Sequence, residues 1–136
     1  MQNLFAAFVV TGSLLVTPLL IAPAQADEWS CRNNDAEISC SETACEVTMP
    51  DGFTPMDLTL NTSGALSLCA YSGCWTGQAT STLNVGPYLS SVALQLAWSG
   101  VSGSPGDVVA TIDTRKKVAT VLADGFAHPM TCTRRQ

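Results

Sequence analysis

Six cysteines in a chain of 136 residues are the feature that most limits how this sequence can fold. Two pairs share one spacing, Cys40 with Cys45 in CSETAC and Cys69 with Cys74 in CAYSGC, while Cys31 and Cys132 stand far apart. Such a set is typical of a disulfide framework in a short exported chain, although six cysteines allow many connectivities. The spacing favours two local bridges across hairpins and a third that joins the two ends of the domain.

The N-terminal segment predicts export. Residues 4–21 are almost continuously apolar and are followed by Ala24-Gln25-Ala26, a small-residue pattern typical of a cleavage site. We therefore expect a secretory signal peptide over 1–26 and a single disulfide-rich β domain over 27–136, in the periplasm or secreted. No Lys or Arg precedes the apolar run, and the run is long enough to cross a bilayer, so an uncleaved N-terminal anchor is the alternative.

The charge balance excludes some partners. All eleven acidic and six basic residues follow the predicted signal, so the exported domain is mildly acidic and should repel nucleic acid. Its basic residues cluster at 115–117 and at 134–135, which we interpret as a hairpin tip and a chain end, with a docking patch for an acidic partner as the alternative. About 110 residues are enough for one hydrophobic core.

Alternating apolar and polar residues predict strands, and no stretch after the signal has helical periodicity. Residues 36–40 and 45–49 flank a short turn as a hairpin would, and DVVATID and VATVLAD flank the basic tip TRKK. In SSVALQLAW the alternation places Val92, Leu94, Leu96 and Trp98 on one face, and Ala93, Gln95 and Ala97 on the other. Seven to nine short strands in all predict a small antiparallel β-barrel or sandwich in largely meander order, stapled by disulfides, with its interior filled by side chains.

The stretch CAYSGCWTG allows three interpretations. The gap between Cys69 and Cys74 is not the CxxC spacing of redox centres, and in an oxidising compartment paired cysteines favour disulfides over a zinc site. A stapled hairpin is the third interpretation, with Tyr71 at its exposed tip and Trp75 held beside the bridge. Trp75 then either packs in the core or, with Tyr71, forms a recognition surface for a ligand or partner.

Catalytic motifs are missing from the sequence. His128 is the only histidine, and a lone histidine before a proline near the chain end is expected at a surface or strand end. A small hydrolase would have to use it with an acid such as Asp124 or Asp113. Carboxylate pairs, Asp35 with Glu37 or Glu42 with Glu46, are expected to be solvated loop charges. We therefore predict no catalytic residues, no metal and no cofactor.

These observations favour a monomeric, exported binding or inhibitor-like domain that recognises a protein, a peptide or a cell-envelope glycan. No membrane span is expected once the signal is cleaved. The alternatives are the small hydrolase that uses His128, and an envelope structural factor without a discrete ligand. In size, predicted export and fold class the chain is similar to small periplasmic lysozyme inhibitors; this similarity is one of architecture, and it carries no residues across.

Overall fold

Eight antiparallel strands close into a barrel in this computed structural model, which describes residues 26–135. The strands are β1 (Glu28–Arg32), β2 (Glu37–Cys40), β3 (Cys45–Thr48), β4 (Asp57–Asn61), β5 (Ala65–Ala70), β6 (Gly73–Gln78), β7 (Ser81–Val85), β8 (Tyr88–Trp98), β9 (Gly106–Asp113), β10 (Val118–Ala123) and β11 (Phe126–Arg135). The barrel runs β1-β4-β5-β6-β8-β9-β10-β11 and closes where β11 pairs with β1. The all-β, antiparallel, meander-like fold with three disulfides is confirmed, whereas residues 1–25 of the predicted signal lie outside the described residues.

Three further strands extend the barrel wall, which is why the chain has more strands than the seven to nine predicted. The long strand β8 pairs with β6 at its end and with β7 at its start, so β6 and β7 follow one another along the same side of β8. In the same way the long strand β11 pairs with β1 at its end and with β2 at its start. Strand β3 pairs only with β2, and the two form a hairpin that extends past the β10–β11 turn.

The barrel interior is filled, as predicted, because seven of the eight strands of the closed path, all except β6, contribute buried apolar side chains to it. The larger fully buried members are Leu58, Leu60, Leu68, Leu89, Val108, Ile112 and Val121. They alternate along their strands with exposed or half-buried residues, the period-2 pattern of a sheet with one wet face. A barrel of this size encloses just enough space for such side chains.

The prediction of one continuous apolar face from Val92 to Trp98 on β8 is wrong, because Val92 and Leu94 lie on the opposite face from Leu96. Leu89 and Ala93 point inward, whereas Val92 and Leu94 lie outside and are 36% and 51% exposed. The register then shifts between Ala93 and Leu96, where Gln95 adopts a positive φ of 56°, and Leu96 turns inward. A β-bulge of this kind places two consecutive residues against one, so a strict two-residue alternation carried through it assigns the wrong face.

The two ends of the barrel carry different segments. One end, which we call the cleft end, holds the β1–β2 and β3–β4 connections, the β5–β6 turn, the β8–β9 loop (residues 99–105), the β10–β11 turn and the β2–β3 hairpin. The opposite end, which we call the basic end, holds the β4–β5, β7–β8 and β9–β10 turns and the close of β11. Among residues 26–135 no helix reaches the length and apolarity that a bilayer crossing requires.

Three disulfides join Cys31 to Cys132, Cys40 to Cys45 and Cys69 to Cys74, which are the pairings that the spacing favours. Each links directly opposed residues of neighbouring antiparallel strands. The first bridge closes a loop of 101 residues and staples β1 to β11, whereas each local bridge closes a separation of five. In the chain-entropy account a bridge stabilises by restricting the unfolded chain, so the long loop should contribute most.

Removing the terminal bridge should therefore destabilise the protein far more than removing the hairpin bridge. We expect Cys31→Ala/Cys132→Ala to lower the free energy of unfolding by roughly 4–5 kcal/mol, and Cys40→Ala/Cys45→Ala by about 2 kcal/mol. Urea denaturation of both variants and the wild type under non-reducing conditions measures the difference. Equal losses in the two variants would contradict this assignment of the stabilising bridge.

Candidate functional site

Two tryptophans pack against each other at the cleft end. Trp75 on β6 is directly opposite Trp98 on β8, and opposed residues of antiparallel strands share a face. Their ring centroids are 4.6 Å apart with the planes tilted by 54°, a favourable arrangement for an aromatic pair. Both side chains are only partly buried, so the pair lies at the barrel wall rather than in its core.

The β8–β9 loop is held against this pair by backbone and side-chain contacts. The N–H of Ser99 donates to the carbonyl of Cys74 at 2.9 Å, and the Cys74 N–H donates to Ser99 Oγ at 2.9 Å. Further along the loop, the Ser104 carbonyl accepts a hydrogen bond from Trp75 Nε1 at 3.1 Å. Since Cys74 belongs to the Cys69–Cys74 bridge, the stapled β5–β6 hairpin anchors the loop.

Close approach of the loop to the two rings requires glycine at three positions, of which Gly100 and Gly103 contact Trp98 and Gly106 contacts Trp75. A Cβ on Gly103 would lie 2.3 Å from Trp98 Cδ1, and one on Gly106 would lie 2.7 Å from Trp75 Nε1. Both distances are well inside van der Waals contact, so any larger residue would displace the loop or the rings. The loop composition GVSGSPG, which the sequence shows only as flexible, thus lets the loop backbone pack closely against one side of an aromatic pair that still lines the cleft.

A cleft of about 630 Å³ opens beside the tryptophan pair. Its lining consists of Trp75, Gln95, Trp98, Ser102, Gly103, Ser104, Pro105, Gly106, Asp107, Ala123 and Asp124. The bulge on β8 brings Gln95 to this edge, where its backbone N–H donates to Asp107 Oδ1 at 2.8 Å. The cleft therefore combines aromatic rings with two carboxylates and an amide, the mixture of apolar wall and few polar groups that ligand sites show.

The structure separates the two predicted recognition residues. Trp75 lines the cleft, whereas Tyr71 is 90% exposed at the β5–β6 turn and is not part of the lining. The sequence pattern only places Trp98 on one face of its strand with Leu94 and Leu96, and it gives Trp98 no functional role. The sequence feature that could have identified Trp98 is the glycine-rich loop that follows it immediately. A loop of small residues can pack its backbone against a tryptophan at its start.

The cysteines that suggested other chemistry are paired in disulfides. Both CxxxxC pairs are disulfides, and within residues 26–135 no cysteine is free to ligate zinc or to exchange. In the same part of the chain no three His, Cys, Asp or Glu side chains converge on a point where a metal ion would fit.

His128 lies in a buried polar cluster near the cleft end, and the expectation of a surface position is wrong. It is fully buried because it alternates inward with Met130 and Cys132 on β11. Its Nδ1 is 3.3 Å from Asn33 Nδ2 and 3.6 Å from Glu37 Oε2. Asn33 is fixed in turn, because its Oδ1 accepts the Met56 N–H at 2.6 Å and its own N–H donates to the Met56 carbonyl.

This cluster favours a neutral imidazole. If Asn33 Nδ2 donates to Nδ1, the ring proton of His128 is on Nε2, which is buried and has no hydrogen-bond partner within residues 26–135. Burial lowers the pKa of His128 below its ordinary value of 6.5, and burial raises the pKa of Glu37 above 4.5. Neither Asp113 nor Asp124 forms a hydrogen bond or ion pair with His128, so the catalytic pairing considered from the sequence gains no geometric support.

No known protein family, curated protein or solved structure matches the chain.

The buried histidine should make stability depend on pH. Because the folded pKa of His128 is depressed, the unfolded chain takes up the proton first, and the free energy of unfolding should fall as pH drops below about 6.5. Glu37 has the opposite effect on the free energy of unfolding. Because its pKa is raised in the folded state, the folded protein takes up this proton before the unfolded chain does, and lowering the pH towards 4.5 stabilises the fold. Urea denaturation at intervals from about pH 8 to pH 5 measures the sum.

Two variants separate these contributions. Glu37→Gln removes both the opposing titration and the carboxylate that would pair with an imidazolium, so its stability should fall more steeply with decreasing pH than that of the wild type. His128→Gln should lose the decline that begins near pH 6.5, whatever its stability at pH 8. A wild-type curve that is flat through this range, with an NMR-measured His128 pKa at or above 6.5, would contradict the argument.

Proposed function

We propose that this protein is an exported binding domain, periplasmic or secreted, that recognises a protein, peptide or cell-envelope glycan noncovalently through the cleft end of its barrel. The observation that carries the proposal is the cleft of about 630 Å³ whose wall is the Trp75 and Trp98 pair. Large aromatic side chains in a concave site are the usual anchors of recognition.

The contacts that hold the walls of the cleft in place favour a binding function. The Cys69–Cys74 bridge fixes the hairpin that carries Trp75, and Cys74 also holds the root of the β8–β9 loop. A site that is held in place before the ligand arrives loses less conformational entropy on binding, which raises affinity without further contacts. Disulfides of this number also fit an oxidising compartment, which supports the export that the N-terminal sequence predicts.

The position of His128 weighs toward binding and against hydrolysis. A general acid or base must come within hydrogen-bond reach of its substrate, and a side chain with no exposed surface inside a filled barrel has no such access. The exposed Tyr71 at the same end of the barrel extends the aromatic surface beyond the cleft, so a macromolecular partner could contact both.

Replacing Trp75 should strongly reduce capture of the partner. With the exported protein immobilised and an envelope extract of the source cells applied, we expect Trp75→Ala to reduce the specifically bound partner by roughly tenfold or more, as loss of an anchor residue does. Trp75→Phe, which retains a ring, should keep most of the capture. Tyr71→Ala should give a smaller loss because Tyr71 lies outside the cleft.

Tyr88→Ala is the matched control, because Tyr88 is a half-exposed tyrosine on β8 at the basic end. It should capture as the wild type does, and near-ultraviolet circular dichroism should show each variant to be folded. Capture that is unaffected by both Trp75→Ala and Tyr71→Ala in folded protein would remove the proposed site.

A further inference from the structure

We infer that the cleft takes a positively charged amine, carried either by a basic side chain of a protein or by an amino sugar, as its ligand. This inference rests on the proposed function and narrows it to a chemical class. It depends on three observations: the distribution of charge between the barrel ends, the hydrogen-bonding groups that the cleft offers, and the tryptophan pair in its wall.

Charge is separated along the barrel. Every basic residue except Arg32 lies at the basic end, in the β9–β10 turn or at the end of β11. Every acidic residue except Asp27, Glu28 and Asp113 lies at the cleft end. Arg32 is itself paired with Asp57, so no unpaired lysine or arginine within the described range neutralises the cleft. Such a field attracts cations and repels anions before contact is made.

The charged groups that line the cleft, Asp107 and Asp124, are both hydrogen-bond acceptors. Asp107 uses Oδ1 to accept the Gln95 N–H, and neither Asp107 nor Asp124 forms an ion pair with any side chain in residues 26–135. The indole N–H groups are not free to donate to a ligand. Trp75 Nε1 already donates to the Ser104 carbonyl, and Trp98 Nε1 is buried beside Gly100 and Gly103. A ligand that brings its own N–H donors and a positive charge matches this set.

The tryptophan pair favours the same ligand. The face of an indole attracts a cation through its ring quadrupole, and tryptophan is the best of the aromatic side chains for this contact. A neutral sugar would also stack on such a ring, but it would leave two carboxylates without a compensating charge when it excluded water from them. The aromatic wall and the carboxylates together therefore select an ammonium group over a neutral group of similar shape.

Four small probes test this selection in matched pairs. They are N-acetyl-lysine amide and its Nε-acetylated form, and D-glucosamine and N-acetyl-D-glucosamine; acetylation removes the charge within each pair. Binding to the ¹⁵N-labelled protein is followed by NMR at the indole N–H of Trp75, with probe concentrations up to about 50 mM because single groups bind weakly. We expect at least one cationic probe to shift this resonance in a saturable way, and its acetylated partner to leave it unmoved.

Charge-removing substitutions assign the effect to the cleft. Asp107→Asn keeps an oxygen that can accept the Gln95 N–H. Asp107→Asn and Asp124→Asn should each weaken binding of the cationic probe roughly five- to tenfold. Asp51→Asn is the matched control, since Asp51 is an exposed carboxylate of the cleft end that does not line the cleft, and it should weaken binding by less than roughly twofold. Saturation by the lysine derivative alone supports a protein source of the amine, and saturation by glucosamine alone supports a sugar source.

Three results would overturn the inference. Equal shifts from charged and acetylated probes would make the cleft a site for neutral ligands, and the proposed function would survive. If neither cationic probe gave a saturable shift, an amine would be excluded as the ligand of the cleft. An effect of Asp51→Asn as large as that of Asp107→Asn would show attraction by the whole acidic end rather than a site. The capture experiment replaces Trp75 and Tyr71, which carry no charge. It therefore tests the proposed function independently of these three results.

Discussion

Closure of the barrel by β1 on β11 is the constraint on which the rest of the structure depends. Each of these strands pairs on its other side with a strand of the meander, so their ladder joins the beginning of the domain to its end and leaves the closed path without an edge. The Cys31–Cys132 bridge lies within that ladder, and both of its cysteines are buried. Without this ladder, the row of inward side chains would face water along an open sheet.

The sequence predicts the parts of this fold that depend on local pattern. The four-residue gaps identify two hairpins, since cysteines that face each other across a turn need little rearrangement to bond. The short alternating segments predict an all-β chain because no stretch is long or periodic enough for a helix. The facing of Val92 and Leu94 could not be predicted, because the bulge at Gln95 depends on its backbone conformation and leaves no mark in the apolar pattern.

The candidate site was only partly predictable for a different reason. Trp75 is marked by the stapled hairpin before it, but the cleft also needs Trp98, Asp107 and Asp124, which come from different strands and loops. Their convergence is set by the closure and stagger of the barrel, and no local signal reports it. His128 shows the same limit: its alternation with Met130 and Cys132 points inward, whereas a lone histidine beside a proline suggests a surface.

The two local bridges lie at the cleft end, whereas the long-range bridge lies within the ladder that closes the barrel. At the basic end, ion pairs of Asp27 with Arg134 and of Glu28 with Arg135 accompany the closing ladder. The cleft end instead concentrates acidic residues on a β2–β3 hairpin that pairs with β11 through only Ser39 and Ile38. Like charges on so short a ladder favour its opening, and the Cys40–Cys45 bridge opposes this by holding β2 to β3. Both local bridges therefore lie at the cleft end, where acidic residues and loops are concentrated, and the long-range bridge lies in the ladder that closes the barrel.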